Sequence, residues 1–344
     1  MTTLLAGDIG GTKTLLALYR LETGGRLELL RSERYASAAW ADLAPMLLHF
    51  LAAGPGNGGQ ENSPAAACFA VAGPVRQGRA RLTNVSWQVE AAALAAATAI
   101  AEVELVNDFA VLIYGLPHLA AAQQAPIRPG RAEAEQPLLV LGAGTGLGVA
   151  WGVPGPAGLQ AVASEAAHGE FAPRSQPEWE LRQWLAADLG LERVSIERVV
   201  SGTGLGHLAR WLLSGSAASA HHPLQEVREA WERGDGAADL PAAVAAAAAA
   251  GEPLAMEALE IWLGCYGSVC GDLALAGLSR GGVWLAGGTA AKLLGALRSA
   301  PFVEAFLNKG RLREVLEPIP LTAVTDPAVG LFSAACRARM LLAA

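Results

Sequence analysis

Three glycine-rich turns, each attached to an apolar run of β-type residues, constrain this chain more than any other feature: Gly7-Asp8-Ile9-Gly10-Gly11-Thr12, Gly142-Ala143-Gly144-Thr145-Gly146-Leu147-Gly148 and Gly287-Gly288-Thr289. Glycine lets main-chain N–H groups approach phosphate oxygens with no Cβ in the way, and threonine adds a hydroxyl that donates a hydrogen bond or faces a metal. A single such turn also serves as a plain hairpin connection. Three of them suit one polyphosphate held between domains. The first is not a P-loop, because Thr12 stands where that motif needs glycine ahead of Lys13-Thr14. Beyond it, an apolar run over 13–19, a turn at 23–25 and a second run over 27–30 read as a β-meander rather than strand, loop and helix. The second turn fails the dinucleotide pattern, since G-x-G-x-x-G counted from Gly142 demands glycine where Leu147 stands.

A chain of 344 residues with 52% apolar content exceeds the usual size of one core and predicts two domains. Its formal charge of −7 is spread out, with no Lys/Arg block and no basic–aromatic interleaving. That argues against nucleic acid or a membrane surface as partner. Cys68, Cys265, Cys270 and Cys336 form no C-x-x-C pair, so the simple reading is a reducing cytoplasm with neither disulfides nor a thiolate metal site. The N-terminus carries no signal-type segment, and the apolar stretch 261–278 contains Gly264, Gly267, Gly271 and Asp272. It reads as a buried packing helix, not a membrane span.

Along the chain, a helical pattern covers 40–53 and an exposed loop covers 54–64. Residues 66–72 read as a buried strand and 88–99 as a helix. A short strand over 103–106 delivers Asn107 and Asp108 at its carboxyl end, where α/β sheets place their chemistry. A polar spacer over 123–136 precedes a strand at 137–141, whose strand–turn–strand arrangement echoes the start of the chain and reads as a duplicated domain core. Gly-Thr-Gly-Leu-Gly recurs at 144–148 and 202–206, the second copy opening a helix whose N-terminus suits an anion. The alanine run 242–250 reads as a surface helix or spacer. Asp326-Pro327 reads as N-cap and first residue of a final helix ending near Leu342.

Asp108 has two readings from its residues alone, a carboxylate facing a cleft or a helix N-cap. Glu165, His168 and Glu170 fall in one proline-bounded loop with a single histidine. A zincin needs two histidines at helical spacing, so this cluster suits hydrogen bonds to hydroxyls better than a metal. Glu197 either joins it or pairs with Arg198. The histidines at 49, 118, 207, 221 and 222 read as surface or packing residues.

In order and spacing, these motifs resemble the bacterial glucokinase family over nearly the whole chain: Gly7 to Thr12, Ala72-Gly-Pro-Val75 with Thr83-Asn84-Val-Ser-Trp87, Val106-Asn-Asp-Phe109, Leu141 to Gly148, Glu165-x-x-His168 ahead of Phe171-Ala-Pro173, Glu197-Arg-Val-Val-Ser-Gly202 and Leu285-Ala-Gly-Gly288. The resemblance implies an α/β fold of two RNase-H-like domains of the actin and hexokinase type around a nucleotide and sugar cleft. A small domain would span 1–110, with the C-terminal helix 326–344 returning to it, and a large domain 111–325. It implies ATP-dependent phosphorylation of glucose at the 6-hydroxyl in the cytoplasm, by a homodimer. Asp8, Gly10, Gly11, Thr12, Gly144, Thr145, Gly287 and Gly288 would contact ATP and its Mg²⁺, the ion arriving with ATP and touching Asp8 rather than occupying a fixed protein site. Asn107, Asp108, Glu165, His168 and Glu197 would hold the sugar, with Asp108 as catalytic base. Two positions depart from the family pattern. Lys13 replaces a frequent asparagine, as in the neighbouring repressor and open-reading-frame kinase family, whose cysteine-rich zinc motif is missing here. Ser164 with Ala166-Ala167 replaces a glycine-rich sugar loop, which bears on sugar preference. Another hexose, another phosphoryl donor such as polyphosphate, or a non-catalytic sugar sensor are the alternatives; no DNA-binding module precedes the first turn.

Overall fold

The computed structural model describes residues 2–53, 63–82, 85–215 and 221–342. The loop expected over 54–64 lies outside the described residues except for Ser63 and Pro64, as does the pair Thr83-Asn84. Packing divides the chain into two compact units, one formed by 1–120, 150–163 and 326–344, the other by 121–149 and 164–325.

The first unit is built on a five-stranded sheet. Strands β1 (Thr2–Ile9), β2 (Lys13–Leu21) and β3 (Leu27–Ala36) form the antiparallel meander, while β4 (Ala66–Val71) and β8 (Glu102–Asn107) continue it in parallel, in the order β3-β2-β1-β4-β8. All six residues of β4 are buried, as its unbroken apolar run and central place require. Helix α1 (Leu43–Ala52) starts where Asp42 Oδ1 accepts from Leu43 N, and buries Leu43, Met46, Leu47 and Phe50 at helical spacing. The segment 88–99 is not one helix: Val89 is buried between outward Gln88 and Glu90 in strand β7 (Gln88–Glu90), and only then does α2 (Ala91–Thr98) begin. With β5 (Val75–Arg76) and β6 (Arg79–Arg81), β7 makes a small antiparallel sheet. A short helix α3 (Leu112–Gly115) closes this part of the chain.

In the second unit β9 (Gln124–Arg128) lies inside the stretch expected to be a spacer, and it pairs antiparallel at a sheet edge, where Pro126 is tolerated. Strand β10 (Leu138–Ala143) is wholly buried; the hairpin β11 (Leu147–Gly155) and β12 (Gly158–Ser164) comes after it in sequence, with residues 150–163 of the hairpin belonging to the first unit. Then come α4 (Gln176–Asp188), α5 (Ile196–Val199), α6 (Gly202–Gly215), α7 (Gln225–Glu232), α8 (Leu240–Ala249) and the long α9 (Pro253–Ala276). Strand β13 (Val283–Ala286) pairs in parallel with β10, and after α10 (Gly288–Lys292), α11 (Leu294–Leu297), α12 (Ala300–Leu307) and α13 (Arg313–Leu316), β14 (Leu321–Val324) pairs in parallel with β13. The alanine run, expected as a surface helix or spacer, is a helix that packs, because Leu240, Val244 and Ala248 of α8 are buried one turn apart. Among the described residues no single helix is long and apolar enough to cross a membrane; α8 and α9 reach that composition together but meet at 108°.

The last helix, α14 (Val329–Leu341), belongs to the first unit. It opens two residues later than expected, because Asp326 Oδ1 accepts from Ala328 N in a turn ahead of the helix. It also carries 111–120 into the first unit: a Cβ on Gly115 of α3 would stand 2.1 Å from Ser333 Oγ of α14, so the two backbones touch. The units therefore divide the chain differently from the 1–110 and 111–325 expected from the sequence.

Glycines in α9 do the same for α12. A Cβ on Gly267 would lie 2.1 Å from Phe302 O, whereas one on Gly295 of α11 would meet nothing within 4 Å. Gly267→Ala is expected to lower stability by about 1–3 kcal/mol through overpacking, and Gly295→Ala to leave it unchanged or raise it. Denaturant unfolding of the two variants checks this.

Candidate active site

Parallel pairing levels the ends of three strands in the first unit, with Ile9 beside Val71 and Val71 beside Asn107. The first glycine turn and the pair Asn107-Asp108 thus leave the sheet at one edge. Asp108 N donates to Val71 O at 2.9 Å, continuing the ladder. Asn107 settles the capping question: its Oδ1 accepts from Phe109 N and Ala110 N at 3.1 and 3.0 Å, and its Nδ2 donates to Gly73 O and to Asp108 Oδ1. Asn107 is the residue that caps the turn, and the Phe109 N–H acts on the Asp108 carboxyl only as a lesser effect. The Asp108 carboxyl keeps an open face to solvent, yet the protein crowded behind it reduces its hydration, and this, with the negative charge of Asp8, pushes its pKa up to about 6. The N–H groups of Phe109 and Asp108 and the Asn107 amide oppose the shift. A carboxylate so poised accepts a proton near neutral pH.

Asp8 is likewise raised by burial, with Lys13 pulling the other way. Its turn is braced by Ser37, a residue that carries no motif in the sequence. Ser37 Oγ donates to Gly10 O at 2.7 Å and lies 3.0 Å from Thr14 Oγ1, and Ser37 N donates to Thr12 O. With Gly10 N bonded to Lys13 O, the amides of Gly11 and Thr12 have no hydrogen-bond partner among the described residues. A hollow of 210 Å³ lies against this turn, lined by Asp8, residues 10–13 and Leu15.

In the second unit, the turn after β10 and the one after β13 meet through Thr289, whose hydroxyl donates to Ala143 O. Gly287, at φ 84°, occupies a backbone region that favours glycine, and it begins α10. Gly202 N donates to Gly144 O at 2.6 Å and Thr203 Oγ1 to Thr145 O at 2.8 Å. The second Gly-Thr-Gly-Leu-Gly is therefore explained locally. A Cβ on Gly202 would come 2.8 Å from Gly144 O, and one on Gly204 2.0 Å from Val199 O. The Gly202 and Gly204 amides are taken by protein acceptors, so this helix start does not offer them to an anion. Gly144, Thr145, Gly288 and Thr289 form one end of a 450 Å³ cavity, and Trp231, Pro241, Ala242 and Ala245 an apolar wall of it. Lys292 also lines it, with no carboxylate at ion-pair distance among the described residues. The wall residues from α7 and α8 escape sequence reasoning, since nothing marks an alanine-rich helix as a pocket lining.

Glu165 and His168 flank a 3₁₀ turn, Ala166–His168, with Glu165 Oε2 3.7 Å from His168 Nε2 and side chains 85% and 54% exposed. Ile196 N donates to Gly169 O and Phe171 N to Val194 O, which sews this loop to the segment bearing Glu197. Glu197 does not pair with Arg198; its Oε2 accepts from Leu147 N at 2.9 Å. His207 packs inside, its Nδ1 3.1 Å from Arg198 O. Among the described residues no three His, Cys, Asp or Glu side chains group as a metal site.

A family model described as Glucokinase matches residues 5–341. The chain belongs to the glucokinase family. A glucokinase of Synechocystis sp. is 41% identical over 96% of both chains, and one of Trichormus variabilis is 38% identical over 99% of this chain and all of its own. The crystal structure of a glucokinase from an Antarctic psychrotroph shares the fold with a TM-score of 0.81, at 27% identity over 98% of this chain and 99% of that one. Members have the two-domain actin-like ATPase fold, which the two larger sheets here express.

The raised Asp108 sets two pH dependences. If its carboxylate is the base, kcat/KM should fall about tenfold per pH unit below about 6, and Asp108→Asn should abolish that limb. Stability moves oppositely. Below pH 3.8 the carboxyl is neutral in both states; between there and about 6 it ionises only when unfolded; at higher pH it is charged in both, and the fold carries the burial and the Asp8 repulsion. The melting temperature of Asp108→Asn should exceed that of wild type by a margin that opens between about pH 4 and 6 and then stays constant. A flat difference across that range would refute the assigned shift.

Proposed function

We propose that this chain transfers the γ-phosphoryl group of ATP to the 6-hydroxyl of D-glucose, giving glucose 6-phosphate and ADP. The observation that carries the reading is Asp108, released from capping by Asn107 and poised near neutrality. A sugar hydroxyl is a poor nucleophile until it is aligned with the γ-phosphorus and relieved of its proton. The bond from O6 to phosphorus forms as the bond to the β–γ bridging oxygen breaks, and the O6 proton passes to Asp108. Asn107 orients that carboxylate through its amide. Glu165, His168 and Glu197 bind sugar hydroxyls; Glu165 and His168 are exposed, so a polyol can take the place of solvent on them hydroxyl for water.

On the donor side, the backbone amides of Gly11 and Thr12, the turns at Gly144-Thr145 and Gly287-Gly288, and the Thr289 hydroxyl serve the phosphates. The cavity beside Gly144 and Gly288 has the size and the aromatic wall for a nucleoside, which polyphosphate would leave empty. Mg²⁺ enters as part of the MgATP substrate, bound mainly by phosphates and water, and a single carboxylate such as Asp8 matches that requirement. When bound, it offsets charge on the transferring group. Four buried, unpaired cysteines fit a reducing cytoplasm, and a homodimer is the assembly that family resemblance implies.

A coupled ADP-release assay over a panel of hexoses and donors tests the reading, with glucose and ATP expected to give the highest kcat/KM. Asp108→Asn should lower kcat by roughly 10²–10⁴-fold while glucose still binds by calorimetry. Glu165→Gln and His168→Ala should raise the glucose KM much more than the ATP KM. Near-wild-type turnover in Asp108→Asn would remove this carboxylate from the mechanism.

A further inference from the structure

The segment 194–203 is bonded on one side to the loop of Glu165 and His168 and on the other to the second glycine turn. On the first side, Phe171 N donates to Val194 O and Ile196 N to Gly169 O, both at 2.9 Å, and Glu170 bridges to Ser195. On the second, Gly202 N reaches Gly144 O, Thr203 Oγ1 reaches Thr145 O, and Leu147 N donates to Glu197 Oε2 at 2.9 Å. Of these three contacts, only that of Glu197 brings a formal charge, which makes it the strongest of its kind.

Gly146 records the same contact sterically. A Cβ there would stand 2.4 Å from Glu197 Oε2, and the three atoms nearest to it all belong to Glu197. The Gly146 backbone lies outside the left-handed region, so only the carboxylate opposes a side chain at this position. Turn and carboxylate occupy complementary space.

We propose that Glu197 is a positioning residue for the nucleotide loop: its carboxylate fixes the 144–147 turn in its phosphate-receiving shape before nucleotide arrives. A residue on the sugar side thereby sets nucleotide affinity even with no sugar bound. The inference rests on the proposed role of this turn in holding nucleotide. It differs from a purely sugar-binding role for Glu197, which would leave nucleotide affinity untouched in the absence of sugar.

The test is calorimetry of MgADP binding to the full chain without sugar, with melting curves to confirm folding. Glu197→Ala should weaken binding about tenfold, the effect of losing one charge-assisted hydrogen bond. Glu197→Gln, whose amide oxygen still accepts from Leu147 N in a neutral hydrogen bond, should bind with an affinity between those of wild type and Glu197→Ala. Gly146→Ala should weaken binding as Glu197→Ala does, yet cost nothing further in the Glu197→Ala background, where the Cβ has room. Wild-type affinity in Glu197→Ala, or an equal penalty from Gly146→Ala in both backgrounds, overturns the proposal. Should Glu197→Ala fail to fold, Gly146→Ala alone decides, and unchanged binding there overturns it as well. If wild type itself does not bind MgADP, the nucleotide reading falls and the inference with it; if wild type binds and the variants match it, only the inference falls.

Discussion

Close approach to the backbone at glycine, with no Cβ in the way, is the constraint on which the rest of this structure depends. The turn at Gly144 accepts the Gly202 amide at 2.6 Å, Gly146 leaves room for the Glu197 carboxylate, and Gly204 lies against Val199 O. None of these approaches survives an added methyl group unless a neighbour moves, and main-chain neighbours have nowhere to go. The same device joins α9 to α12 and α3 to α14, where Gly267 and Gly115 sit on Phe302 and Ser333. Glycine is costly in a helix by about 0.5–1 kcal/mol, so its use there identifies the places where close packing outweighs backbone entropy.

Electrostatics in the first unit derive from the strand ends being level. Because Ile9, Val71 and Asn107 stand abreast, the two carboxylates beside these ends, Asp8 just before Ile9 and Asp108 just after Asn107, feel one another. Burial and like charge both disfavour ionisation, and both raise the pKa of Asp108. Asn107 limits the shift by donating to Asp108 Oδ1 while its own carbonyl takes the turn amides. One amide side chain thus takes the structural task of capping and leaves Asp108 for the proton acceptance proposed above. A residue that capped with its own carboxylate would be held in its charged form by the amides it satisfied, a weak base at neutral pH.

Much of this is legible in the sequence, and the reasons for the remainder are specific. The glycine turns, the meander and the strand delivering Asn107-Asp108 are local patterns, set by side-chain period and backbone freedom. Residues 88–99 read as helix throughout because Gln88-Val89-Glu90 is too short for alternation to stand out against the alanines after it. A spacer reading of 123–136 misses β9, an edge strand whose partner lies nearly two hundred residues along the chain in β14. The alanine helix reads as a surface helix or spacer because its buried stripe, Leu240, Val244 and Ala248, is diluted by small residues that are apolar everywhere. Ser37 and Trp231 carry no motif at all. Each acts through long-range contact, which composition and periodicity do not encode.

The loop carrying Glu165 and His168, proposed above to hold the sugar, departs from the family pattern in residues that pack. Alanine stands at 166 and 167 where the pattern favours glycine, and Ala167 is buried to 2% exposure. Its methyl group is a packing atom. The turn it anchors is pinned further by Arg193, which donates to His168 O at 2.8 Å, and by the 194–197 segment. What stays exposed is the Glu165 side chain, more so than that of His168, whose Nε2 lies 3.7 Å from Glu165 Oε2. Recognition of a polyol by such a loop draws on two unlike parts: a backbone whose shape is fixed in advance by packing, which lowers the entropy lost on binding, and a solvated carboxylate that exchanges water for hydroxyls at little net cost. If this loop binds the sugar as proposed, discrimination between sugars would depend on the fixed part, because a misplaced hydroxyl would leave a group that cannot move to meet it, whereas the exposed Glu165 side chain can adjust.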